Sequence, residues 1–88
     1  MLHINIKIYG LVQGVFFRVS AKKLADSLNL KGFARNENDG SVYIELEGEK
    51  KKVEQFLKWC KKGPSLAEVE KLEITKGPVK NLSEFLAI

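Results

Sequence analysis

Eighty-eight residues leave room for one domain, and 44% hydrophobic with 30% charged residues excludes a disordered chain. No apolar run approaches the roughly 18 residues of a membrane span, and Met1-Leu2-His3-Ile4-Asn5 lacks the basic-then-apolar layout of a signal peptide, so a cytoplasmic location and no membrane partner are expected. One cysteine, Cys60, and one histidine, His3, exclude an internal disulfide and an ordinary zinc site, while the net charge of +4 suits an anionic partner, a small phosphorylated molecule as readily as RNA.

The chain opens with Ile4, Ile6 and Ile8 alternating against Asn5, Lys7 and Tyr9, the period of a strand with one buried face, which stops at Gly10. A loop from Gly10 to Phe17 follows. From Ala21 to Leu28 the apolar positions Ala21, Leu24, Ala25 and Leu28 recur at spacings of three and four, so a helix with one buried stripe is predicted, ending at or just before Asn29. Gly32-Phe33-Ala34-Arg35-Asn36 reads as the second strand. Asn38-Asp39-Gly40 is a hairpin turn, since these residues tolerate positive φ, and Val42, Ile44 and Leu46 alternate along the third strand.

Beyond Gly48, the set Val53, Phe56, Leu57 and Cys60 marks a second amphipathic helix, with Lys50-Lys51-Lys52 as its solvated start and Gly63-Pro64 as its stop. Val69 to Ile74 forms a fourth strand in which Leu72 and Ile74 are in phase and Val69 is not, a pattern that a bulge explains. A connection from Thr75 to Ser83 leads to a short fifth strand at Phe85 to Ile88. The order is the split βαβ arrangement whose right-handed crossovers put both helices on one face of the sheet. The expected fold is a ferredoxin-like βαββαβ α/β sandwich, an antiparallel sheet of four to five strands with two helices on one face, spanning residues 1–88 as a single domain.

That architecture hosts enzymes, metal carriers and RNA binders, so the site needs its own case. The informative stretch is Gly10-Leu11-Val12-Gln13-Gly14-Val15-Phe16-Phe17-Arg18, a glycine-containing loop that leaves a strand and feeds a helix. Such loops aim several backbone N–H groups at one point, the helix dipole adds to them, and the planar fork of Arg18 can close the cradle on a phosphate. A nucleotide loop of the Gly-x-x-x-x-Gly-Lys type does not fit the Gly10-x-x-x-Gly14 spacing. A phosphocysteine mechanism fails too, because Cys60 falls in mid-helix with no phosphate loop around it.

Gly10, Val12-Gln13-Gly14-Val15 and Phe17-Arg18, with Gly32-Phe33-Ala34-Arg35-Asn36, Asp39-Gly40-Ser41-Val42 and Gly63-Pro64-Ser65-Leu66-Ala67-Glu68-Val69, resemble the acylphosphatase family over most of the chain. The resemblance implies hydrolysis of a carboxyl-phosphate anhydride. Arg18 would bind the substrate phosphate together with main-chain amides of Gln13, Gly14, Val15, Phe16, Phe17 and Arg18, and Asn36 would hold the attacking water. It implies no metal and no cofactor, a small acyl phosphate as substrate, inorganic phosphate as product and inhibitor, and a monomer with no nucleic-acid partner. No catalytic acid is needed, since a carboxylate with a conjugate-acid pKa around 4 leaves readily. Two departures stand out: Leu11 replaces the family's usual arginine, and Phe16 stands where glycine is frequent, which points to a narrower choice of acyl group.

Blander readings apply elsewhere. Asn36 also fits a plain turn residue ahead of Asn38-Asp39-Gly40. His3, Cys60, Trp59 and Tyr43 are read as packing or solvent-facing residues. The rival function is a nucleic-acid binding module, because Lys31-Gly32-Phe33-Ala34 resembles half of an RNA-recognition signature, although the base-stacking aromatics that should follow are replaced by Arg35 and Asn36. A third is an acylphosphatase-like domain of a larger carbamoyl-transfer protein.

Overall fold

A computed structural model describes residues Met1 to Ile88. The elements run β1 (Leu2–Leu11), α1 (Phe17–Ser27), β2 (Lys31–Asn36), β3 (Val42–Gly48), α2 (Lys50–Cys60), β4 (Glu68–Gly77) and β5 (Phe85–Ala87). They build the ferredoxin-like sandwich, with a sheet of order β4-β1-β3-β2-β5. Ile4, Ile6 and Ile8 of β1 and Val42, Ile44 and Leu46 of β3 form the sheet's side of the core. Ala21 and Ala25 of α1 and Val53, Phe56 and Cys60 of α2 form the other side. Neither helix is long and apolar enough to cross a membrane.

Several boundaries differ from the sequence reading. β1 continues through Gly10 to Leu11 because it pairs with β4 across a bulge: Tyr9 faces Lys71 and Gly10 faces Val69, so Glu70 is the extra residue that puts Val69 out of phase. Gly10 sits at φ +128°, and a Cβ there would collide with the Glu68 carbonyl oxygen. α1 begins at Phe17, four residues before the first apolar pair, since its opening turn serves the loop and carries the exposed Val19. It ends in a Schellman turn, with Asn29 at φ +57° and the Leu30 amide donating to the Ala25 carbonyl (2.8 Å). Cys60 is the last residue of α2 rather than a mid-helix one.

β4 runs on through Thr75 to Gly77, paired with Asn5 and His3, so the connection is only 78–84. The fifth strand pairs parallel to β2, making the sheet mixed rather than wholly antiparallel. The geometry follows from the order. β1 and β2 both oppose β3, and β4 opposes β1, so a chain that leaves β4, crosses to the far edge and returns must run with β2.

That connection is fastened by polar groups at the foot of the sheet. His3 and Glu47 are cross-strand partners and fully buried. The His3 ring donates through Nδ1 to Glu47 Oε1 (2.8 Å), while the amides of Lys80 (2.8 Å) and Leu82 (2.6 Å) donate to the same carboxylate. Burial alone would raise the Glu47 carboxyl, but these donors outweigh it and hold it below the usual glutamate range. The unfolded chain therefore takes up this proton first as pH falls. The stabilisation is present above about pH 4.5 and drains away as pH drops through the lower folded-state value. Glu47→Gln, which sets an amide NH2 against one of the donating N–H groups, is expected to lower stability by about 1–3 kcal/mol near pH 7 and by much less near pH 3. Urea midpoints measured across that range check it, and parallel curves for the two proteins would contradict it.

Candidate active site

A surface cavity of about 240 Å³ lies where the loop between β1 and α1 meets the end of β2, lined by Val12, Gly14, Phe16, Phe17, Arg18, Val19 and Asn36. The apolar spacing of the loop shapes it. Val12, Val15 and Phe17 are anchored in the core, with the Phe17 ring tilted against Trp59 of α2 (centroids 5.1 Å apart), so the intervening main chain is held at the surface. Gly14 and Phe16 adopt left-handed φ of 75° and 65°. For Phe16 that conformation costs roughly 1–2 kcal/mol, and the residue is 68% exposed, so burial does not offset the strain.

The bends free donors. None of the main-chain N–H groups from Gln13 to Arg18 donates to an oxygen of the chain, and Phe16, the N-cap of α1, offers no side-chain cap. A row of unpaired amides at the positive end of a helix is suited to an anion with several acceptor oxygens. Arg18, in the first turn of α1, adds a guanidinium to the same cavity. One of its Nη groups donates to the main-chain oxygen of Ile88, which steadies the side chain, and no Asp or Glu side chain pairs with it; Arg35, by contrast, is paired with Glu37 (3.0 Å). Asn36, exposed last residue of β2 and register partner of Val42, lines the same cavity from a separate segment of the chain.

A family model for acylphosphatase matches residues 4–86. The chain belongs to the acylphosphatase family. It is 40% identical over 87 residues to an acylphosphatase from Ligilactobacillus salivarius, covering 97% of this chain and 96% of that protein. Another from Nocardioides sp. is 40% identical over 82 residues, covering 93% of this chain and 83% of the relative. Among solved structures, the acylphosphatase from Bacillus subtilis superposes with a TM-score of 0.97 at 30% identity, over 100% of this chain and 99% of that one.

Within this acylphosphatase framework, the residues singled out in the sequence separate into two groups. Gly14, Phe16, Phe17, Arg18 and Asn36 line the cavity together. Gln13 and Val15 contribute no side chain to it: Val15 packs into the core, and Gln13 reaches instead to the turn between β2 and β3. Leu11, at the family's arginine position, is half-exposed and outside the cavity lining. The sequence reading missed Val12 and Val19 as wall residues. Val19 had a visible signal, an apolar residue outside the buried stripe of α1. The support that Ile88 gives Arg18 had none, because it depends on where β5 pairs.

The neighbouring titratable groups are quiet. Asp39, in the β2–β3 turn, accepts from the Ser41 hydroxyl and amide and pairs with Lys7 (3.0 Å), which holds its carboxyl well below the usual range and keeps it from serving as a base. Burial pushes the Cys60 thiol far up, so it is no nucleophile.

Proposed function

We propose that residues 1–88 form one catalytic unit that hydrolyses the carboxyl-phosphate bond of a small acyl phosphate by attack of water at phosphorus. The observation that carries this reading is the meeting of Arg18 and Asn36, from the start of α1 and the end of β2, in one cavity with a row of unpaired loop amides. The amides of Gln13 to Arg18 and the Arg18 guanidinium grip the phosphoryl oxygens, where charge develops in the transition state. Asn36 accepts a hydrogen bond from the attacking water and aims its lone pair at phosphorus, opposite the leaving oxygen. The P–O bond to the carboxylate breaks, the water oxygen joins phosphorus, and its proton passes to solvent. Neither a catalytic acid nor a metal or cofactor is required, because the leaving carboxylate is stable without a proton.

The reading takes the chain as a cytoplasmic monomer acting on a small molecule, with no nucleic-acid or membrane partner. The open face of the sheet supports it against the nucleic-acid alternative. Arg35 covers the rings of Phe33 (5.6 Å) and Tyr43 (4.8 Å), and Tyr43 donates to Glu45, so rings that would stack bases are occupied and bordered by carboxylates. Hydrolysis of benzoyl phosphate in ¹⁸O-water, with chelator present, is the test. The expected result is turnover, label in the phosphate and competitive inhibition by inorganic phosphate. Label in the benzoate, or no turnover, would overturn the proposal.

A further inference from the structure

We infer that the side chain of Gln13 is a positioning residue for this hydrolysis: it fastens the phosphate loop to the turn that follows Asn36, and so fixes where the water stands relative to the gripped phosphorus. The inference rests on the roles given above to Arg18 and Asn36.

Gln13 Nε2 donates to the carbonyl oxygens of Glu37 (2.7 Å) and Ser41 (3.0 Å). Both partners are obligate acceptors, so the amide has one possible orientation, with its nitrogen toward the turn and both its protons used. The two carbonyls are those at the neck of the turn: the Glu37 amide donates to the Ser41 oxygen (2.8 Å) and the Gly40 amide to the Glu37 oxygen (3.2 Å). Gln13 therefore grips both legs of the turn immediately after Asn36. It is the only side chain of the loop hydrogen-bonded there. The other tie to the turn, Lys7 to Asp39, joins two partly exposed charges and is weakly orienting in water.

The chemistry explains why such a tie matters. The cradle and Asn36 belong to different segments, one a loop and one a strand end, and the reaction needs water and phosphorus within a few tenths of an ångström of the attacking geometry. A displacement of about 1 Å can cost on the order of a hundredfold in rate. Phosphate binding, in contrast, uses the loop and Arg18 alone. The turn also keeps its own hydrogen bonds without Gln13, so its removal loosens the register between segments rather than unfolding either.

Gln13→Met keeps the length of the side chain and removes both donors. Relative to the parent, kcat for benzoyl phosphate is expected to fall about ten- to a hundredfold, while the affinity for inorganic phosphate, read by ³¹P NMR, changes by less than about twofold. Because the effect is exerted through Asn36, adding Gln13→Met to Asn36→Ala should lower the residual kcat by less than about twofold. Parental kcat in Gln13→Met, phosphate affinity falling in step with kcat, or an undiminished further loss in the double variant would each refute the inference. If Gln13→Met fails to fold, Gln13→Leu, uncharged and likewise without donors, decides on the same readouts. Failure of the underlying reading shows separately, as Arg18→Ala retaining phosphate affinity or Asn36→Ala retaining kcat, since neither variant alters Gln13.

Discussion

Arg18→Ala is expected to lower kcat/KM for benzoyl phosphate by about a thousand- to a hundred-thousand-fold and to abolish measurable binding of inorganic phosphate. The guanidinium is the one cationic side chain lining the cavity, and it stands where the transferring group gathers charge. Loop amides alone offer partial charges; the arginine supplies a full one with a planar pair of donors that matches two phosphoryl oxygens. Its contact with the Ile88 oxygen uses one Nη and leaves the other donors for substrate. Arg18→Lys should recover only a minor part of the loss, because an ammonium restores charge but not the planar pair of donors that meets two oxygens side by side. Steady-state kinetics with a phosphate titration checks both variants. An Arg18→Ala enzyme within tenfold of the parent in kcat/KM would remove the guanidinium from the mechanism.

What was legible in the sequence was whatever repeats within one element. Ile4, Ile6 and Ile8 announced a half-buried strand, Ala21 and Ala25 the inward stripe of α1, and Asp39-Gly40 a tight turn, and each pattern is satisfied by burial or by backbone φ. Even the β4 bulge was visible, since one residue too many before Leu72 is a local count. The failures share a different cause. The parallel direction of β5 is set by a connection that crosses the sheet and docks on Glu47, a carboxylate distant in sequence from Lys80 and Leu82, and the extension of β4 to Gly77 by its pairing with Asn5 and His3. Nothing in the spacing of those residues encodes a meeting between them. The site divides the same way. Loop and helix start are contiguous, so Gly14 and Arg18 stood out, and Asn36 entered through the family resemblance. The Gln13 side chain was assigned no role because its partners are carbonyls, which carry no residue-type signal.

Asn36→Ala should separate binding from chemistry. Asn36 comes from the end of β2 and not from the loop and helix start that form the cradle, so phosphate affinity is expected to stay within about twofold of the parent while kcat falls about a hundred- to a thousandfold. The loss is that of orientation. Without the acceptor, water still reaches the phosphorus, but its lone pair is no longer directed along the line of the leaving oxygen. Asn36→Asp sharpens the distinction. Its carboxylate accepts from water as the amide oxygen does, yet it sets a negative charge beside a phosphate dianion, so affinity should fall even where orientation survives. Phosphate affinity weakened as much by Asn36→Ala as by Arg18→Ala would instead make the amide N–H a donor to the anion, and would leave the attacking water to be aimed by the loop itself.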